Sequence, residues 1–152
     1  MPYINNEKIV SCDIQSAYDV VQDITKYNEF IPWCKNVKII SNCNSTVVSD
    51  VQVEFLFIKE KYRSMTKFTA PTEVGDEVIA GAEITIIEGP FKHFLTTWHL
   101  KGIGINRTLI SFNADFSFNN RLYNSIASLV VQSANQKIID AFSKRVKKYK
   151  SI

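Results

Sequence analysis

The chain has 152 residues, of which 45% are hydrophobic and ten are Phe, and a formal net charge of +3. That makes one globular domain over residues 1–152 and excludes a disordered chain. So small a charge argues against a DNA-binding or dedicated RNA-binding protein, and no apolar run approaches the ~18 residues of a membrane span.

Residues 4–12 read as a first strand. Asp13 to Ser16 supply capping residues, and Ala17, Val20, Val21 and Ile24 then recur at helical spacing, which predicts a short amphipathic helix. The stretch from Tyr27 to Cys34 places Tyr27, Phe30, Ile31 and Trp33 around Pro32, which cannot continue a helix. A loop this apolar must cover something or be covered. From Val37 onward apolar residues alternate. Residues 37–42 and 46–57 are expected strands, and Val51, Val53, Phe55 and Phe57 share one face of the second. Residues 61–70 put Tyr62, Ser64, Thr66 and Phe68 on one face, and residues 78–87 do so with Ala80, Ala82, Ile84 and Ile86. Phe94, Thr96, Trp98 and Leu100 mark the next strand, and Ile110, Phe112, Ala114, Phe116 and Phe118 the last. Pro71 to Asp76, Glu88-Gly89-Pro90 and Gly102 with Gly104 are the expected turns.

Residues 120–149 are one long helical pattern, with Asn119 or Asn120 as N-cap. At ~1.5 Å per residue it is a rod of roughly 43 Å, which needs a large partner surface. Its expected apolar stripe is Leu122, Ile126, Leu129, Val130 and Ala134, turning to Ile138, Ala141, Phe142 and Tyr149 in the second half. Lys137, Lys144, Lys147 and Lys148 gather on the side this leaves, with Asp140 at ion-pair spacing between them. They make either a solvated face or a surface for acidic lipid or RNA.

Seven strands in hairpin succession pair antiparallel, and each has one apolar face, so one side of the sheet needs a cover. The long helix is that cover. The expected architecture is α+β, a curved antiparallel sheet gripping a C-terminal helix, with a short helix after the first strand. The inward faces carry many rings beside the small residues Ser64, Thr66, Thr96, Ala80 and Ala82. Such a mixture either tiles a tight core or leaves a cavity for one apolar ligand.

The cysteines, Cys12, Cys34 and Cys43, show neither CxxC spacing nor a histidine at zinc-site spacing. No metal site is expected, and an odd count without a framework fits a reducing compartment. The opening MPYINNEKIV has no basic stretch followed by an apolar core, so a cytoplasmic protein is expected. No GxSxG, HExxH, P-loop or dinucleotide motif is present. Glu54, Glu83 and Glu88 fall on outward faces or turns, and the histidines have no evident acidic partner. The chain reads as a non-enzyme.

Four segments together resemble the coenzyme Q-binding START-like family, which also contains the ribosome association toxins. Tyr27-x-x-Phe30-Ile31-Pro32-Trp33-Cys34 is similar to its YPxFLPWC signature, with Asn28 in place of the usual Pro. Glu88-Gly89-Pro90-Phe91-Lys92, with Trp98 six residues on, resembles EGPFxxLxxxW. Phe116-x-Phe118 resembles its FxF strand end, and Ala134-Asn135 with Ala141-Phe142 and Arg145 its ANxxxxxAFxxR helix. The resemblance implies a START-like helix-grip fold with a hydrophobic tunnel. In respiratory members the tunnel holds a polyprenyl quinone, ubiquinone, bound without covalent attachment; toxin members bind the large ribosomal subunit. Both groups share the motifs, and neither implies a catalytic residue. On this reading Phe30, Pro32 and Trp33 form a lid, or else a structural plug. Phe91 stands at the rim and Trp98 inside, with Phe55, Phe57, Phe68 and Phe112 as aromatic wall and Leu129, Val130 and Ala134 as helix wall. Lys137, Lys144, Lys147 and Lys148 then meet anionic lipid of the inner membrane or, alternatively, phosphates of the large ribosomal subunit.

Overall fold

The computed structural model describes residues 3–29, 31 and 33–150, except for the side chains of 133–136 and 148–150. Strand β1 (Tyr3–Val10) leads into helix α1 (Ile14–Gln22) and a 3-10 helix (Ile24–Glu29). Six strands follow: β2 (Cys34–Cys43), β3 (Thr46–Phe55), β4 (Ile58–Val74), β5 (Glu77–Glu88), β6 (Phe91–Gly104) and β7 (Arg107–Phe118). Helix α2 (Arg121–Lys150) completes the chain.

The strands form one antiparallel sheet in the order β1-β7-β6-β5-β4-β3-β2. The helical connection carries the chain from β1 at one edge to β2 at the other. Successive hairpins then bring it back until β7 lies beside β1, with Tyr3 opposite Asp115 and Val10 opposite Thr108. α2 packs on β1, β7 and α1, and α1 packs on β4 to β7. This is the helix-grip α+β fold expected from the alternation.

Local chemistry sets the ends of the elements. Asp13 caps α1, its carboxylate accepting from the Ser16 amide at 3.2 Å and the Ser16 hydroxyl at 2.7 Å. Asn120 caps α2, its Oδ1 accepting from the amides of Leu122 (2.8 Å) and Tyr123 (3.3 Å). β4 runs through Pro71 with a register shift between Thr69 and Thr72, and the turn expected over 71–76 falls at its end, at Gly75 and Asp76. Such a bulge bends the strand and tolerates a residue with no N–H to donate. Likewise Gly102 and Gly104 lie in β6, at its register shift, and the turn falls just beyond them. Gly81 of β5 lets the sheet close tightly at the level of Trp98: a Cβ there would stand 2.3 Å from the Trp98 carbonyl oxygen.

The apolar face of α2 differs from the expected stripe. Its buried residues are Ala127, Val131, Ile138, Ile139, Phe142 and Val146, while Leu122 and Leu129 are 57% and 66% exposed. At about 100° per residue, Leu122 and Leu129 project roughly opposite that buried face. A straight helix has one phase, and Ile138, Phe142 and Val146 set it. Asp140 pairs with Lys8 of β1 at 2.9 Å, across the fold, in addition to its place among the helix lysines. Arg145 holds Glu29 of the 3-10 helix at 2.5 Å.

Candidate functional site

The concave face of the sheet and α2 enclose a cavity of about 100 Å³ that is partly open to solvent. Strand alternation decides what faces it. Ser49 of β3 stands opposite Ser64 of β4, and their hydroxyl oxygens are 3.1 Å apart. One step along the same face, Thr66, Ile84, Thr96 and Ala114 form a cross-strand row through β4, β5, β6 and β7. The next row holds Ala82, Trp98 and Phe112. All of these except Ala82 line the cavity.

Two ring clusters line it. Phe91 stacks on Phe118 at 4.6 Å between ring centres and meets Tyr62 edge-on at 5.2 Å and Phe94 at 5.0 Å. Trp98 lies 4.4 Å from Phe112 and stacks on Phe142 of α2 at 4.5 Å. Offset and edge-on pairs of this kind add roughly 0.5–1.5 kcal/mol each to the area they bury. Ala127, Val130 and Val131 form the α2 wall. Ile24, Tyr27, Ile31, Trp33 and Cys34 form the remaining side, anchored where the Glu54 amide donates to the Trp33 carbonyl at 2.9 Å and the Ile31 amide to the Tyr27 carbonyl at 2.8 Å.

The site is electrically neutral. Burial raises the Tyr27 phenol far above its ordinary value, with the neighbouring Cys34 and Asp23 adding to the effect and the Trp98 indole opposing it. Tyr27 donates its hydroxyl hydrogen to the Val21 carbonyl. Burial, with Cys34 nearby, likewise raises the Tyr62 phenol. The Cys34 thiol is pushed up to about 11 by burial. All three are protonated at neutral pH, and no Asp, Glu, Lys, Arg or His lines the cavity among the described residues. Among the described residues one buried polar side-chain atom lacks a well-formed hydrogen bond: the indole Nε1 of Trp98, a residue 2% exposed, lies near the Tyr27 hydroxyl but outside hydrogen-bonding geometry.

Of the residues picked from sequence, Trp33, Phe55, Phe91, Trp98, Phe112 and Val130 come together around the cavity. Phe68 does not; it is buried beyond the cavity, edge-on to Tyr18 of α1 at 6.4 Å. Phe57 does not either. β3 ends at Phe55, the hairpin turns at Leu56 with φ 51°, and Phe57 swings out to 61% exposure against Tyr123. Leu129 faces away, for the helix-phase reason given above. Phe30, Pro32 and the side chains of Ala134 and Lys148 lie outside the described residues. Lys137, Lys144 and Lys147 are exposed on α2. His93 has a carboxylate partner after all, Asp115 at 3.3 Å, but both are about half exposed on the outer face. Sequence reasoning missed Ser49, whose hydroxyl interrupts the inward series Val47, Val51, Val53 and Phe55. It also missed Tyr27 and Cys34 as lining residues, and Ala127 and Val131, which the correct helix phase would have supplied.

Residues 10–143 match the family model described as polyketide cyclase / dehydrase and lipid transport. The ribosome association toxin RatA of Rickettsia prowazekii is 30% identical over 144 residues, 92% of each chain. The mitochondrial coenzyme Q-binding protein COQ10 homolog B of Xenopus laevis is 25% identical over 146 residues, 93% of this chain and 56% of that protein. In fold, the chain is similar to the crystal structure of human STARD10, with a TM-score of 0.75 at 14% identity over 98% of this chain and 64% of that one. The curved sheet closed by a long helix around a cavity, together with these matches, shows that the chain belongs to the polyketide cyclase/dehydrase and lipid transport family, START-like in fold.

Proposed function

We propose that the chain binds a polyprenyl quinone, ubiquinone or a close relative, without covalent attachment and without catalysing a reaction. In this role it is a carrier or chaperone that supports respiratory electron transport and ubiquinone biosynthesis. The observation that carries this reading is a cavity walled by rings and aliphatic side chains, with neutral hydroxyls and no ionised group among the described residues. A flat ring with carbonyl oxygens and an isoprene tail match such a wall. A carboxylate or phosphate head would lose its hydration with no counter-charge to replace it. The same neutrality favours binding over acid–base chemistry, because no lining group titrates near pH 7. The Xenopus relative, a coenzyme Q-binding protein, agrees with this reading. In this reading Lys137, Lys144 and Lys147 meet anionic lipid of the inner membrane from the cytoplasmic side, at ~1 kcal/mol per lysine. Val130→Asp tests the reading, because Val130 is half-buried and lines the cavity. It is expected to weaken binding of a short-tailed ubiquinone analogue at least tenfold in a protein that unfolds at a similar temperature. Undiminished binding in the folded variant overturns it.

A second reading rests on the Rickettsia relative: association with the large ribosomal subunit. The same exposed lysines would then face RNA phosphates. Charge reversal at Lys144 and Lys147 is expected to lower co-sedimentation with large subunits most strongly at low salt, the gap to the wild type narrowing as salt rises. Co-sedimentation indifferent to both charge and salt counts against it.

A further inference from the structure

We infer that the hydroxyl-bearing floor of the cavity is a head-group subsite: an uncharged ring with carbonyl oxygens sits innermost, one carbonyl accepting from the Trp98 indole N–H, and the ligand's tail leaves through the open side. This deepens the quinone reading above and rests on it. Four hydroxyls from three strands, Ser49, Ser64, Thr66 and Thr96, are buried at 1%, 2%, 2% and 8% exposure within one patch of an otherwise apolar wall. Valine would occupy either threonine site with less polar surface, so this wall carries more polar atoms than packing alone asks for. Ser49 and Ser64 bond each other, which uses one of their two hydrogens and leaves the second free to donate. Trp98 follows Thr96 by two on the same face, and its buried Nε1 points near the Tyr27 hydroxyl without reaching hydrogen-bond geometry to it or to any other described acceptor. An indole can only donate, so the group that would complete its geometry in place of the Tyr27 oxygen is an acceptor.

A quinone ring supplies acceptors and no donors. Its two carbonyls sit on opposite sides of the ring, so one can meet the indole while the other, with two lone pairs, meets the free serine hydrogen and the neighbouring Thr66 hydroxyl. Stacking is available from Phe112, which also lines the cavity. The size is consistent with this orientation. About 100 Å³ is several times the ~10–15 Å³ that one water needs, and far too little for an extended polyprenyl chain, so at most the ring end is enclosed. The tail therefore runs outward, past the Phe91 cluster and Val130.

The test compares two probes with equal saturated tails, a ubiquinone analogue and an alkylbenzene that has no carbonyl. Calorimetric titration is run on the wild type, Trp98→Phe and Thr66→Val, with the carbonyl stretch of the bound quinone read by infrared difference spectroscopy. Trp98→Phe keeps a ring in the stack and removes the donor; Thr66→Val keeps the shape and removes a hydroxyl. Each is expected to weaken the quinone analogue about fivefold, the size of one neutral hydrogen bond, and to leave the alkylbenzene unchanged. The stretch, lowered on binding to the wild type, is expected to move back up in Trp98→Phe. Should Trp98→Phe not fold, Thr66→Val and Ser49→Ala carry the same comparison. Equal losses for both probes, or an unshifted stretch in the wild type, overturn the subsite while the quinone reading stands. Failure of the wild type to bind either probe overturns both.

Discussion

At the scale of single residues, the cavity depends on groups that burial keeps uncharged. Cys34 is the clearest case, because a thiolate beside a quinone would add to the ring. Its thiol titrates at about 11 in the folded chain against 9.0 in the ordinary range. The folded state therefore holds a proton that the unfolded chain gives up first. Stability from this group is intact below pH ~9 and falls as pH rises from there through ~11. A shift of this size corresponds to at most about 2–3 kcal/mol. The raised phenols of Tyr27 and Tyr62 act in the same direction. Urea unfolding at pH ~8 and pH ~10.5 is expected to show the midpoint falling at the higher pH, and to fall less in Cys34→Ala. In thiol labelling near neutrality, the exposed Cys43 is expected to react first, while Cys12 and Cys34 wait for unfolding.

At the scale of elements, the β3–β4 hairpin stands out. The β2–β3 turn places Asn44 and Ser45 at positive φ, 52° and 63°, using residues that short turns favour. The β3–β4 turn puts Leu56 at φ 51°, where a Cβ crowds the next carbonyl at a cost of roughly 1–2 kcal/mol. Leu56 is also 72% exposed, so little packing offsets that cost. Leu56→Asn is expected to raise stability by about 0.5–1 kcal/mol in chemical denaturation; an unchanged or lower value contradicts the strain argument. The same turn explains a limit of the sequence reading. Leu56-Phe57 carries no turn signal, so the alternation of Val51, Val53 and Phe55 runs on to Phe57, which the hairpin in fact expels. The phase of α2 was hidden for another reason. Counting large apolar residues in its first half favours Leu122 and Leu129, whereas the helix turns Ala127 and Val131 inward to meet the sheet. A small residue at a close contact leaves little trace in a hydrophobicity pattern. Where strands alternate without interruption, as through Phe94, Thr96, Trp98 and Leu100, the inward face was legible directly.

At the scale of the whole molecule, hairpin succession returns β7 to β1 and curls the sheet around α2. That closure was legible from seven alternating segments and one long helix. The cavity was not, because rings beside small residues are equally compatible with a filled core. What decides is position. Ser49, Ser64, Thr66 and Thr96 fall on one patch, and Ala127 faces it, so side chains leave space there. The arrangement combines an apolar enclosure with a few neutral polar atoms, and it is tied across the fold by Lys8 with Asp140 and Arg145 with Glu29. Such ties are half exposed and add little stability, roughly 0–1 kcal/mol each; they hold α2 and the 3-10 helix in register around the cavity.

The most direct measurement is solvent extraction of the protein purified from a quinone-producing host, followed by mass spectrometry of the extract. The account predicts a polyprenyl quinone at close to one per chain, much reduced in the Val130→Asp protein. An extract without quinone, from wild-type protein that is folded and co-sediments with large ribosomal subunits, would contradict it.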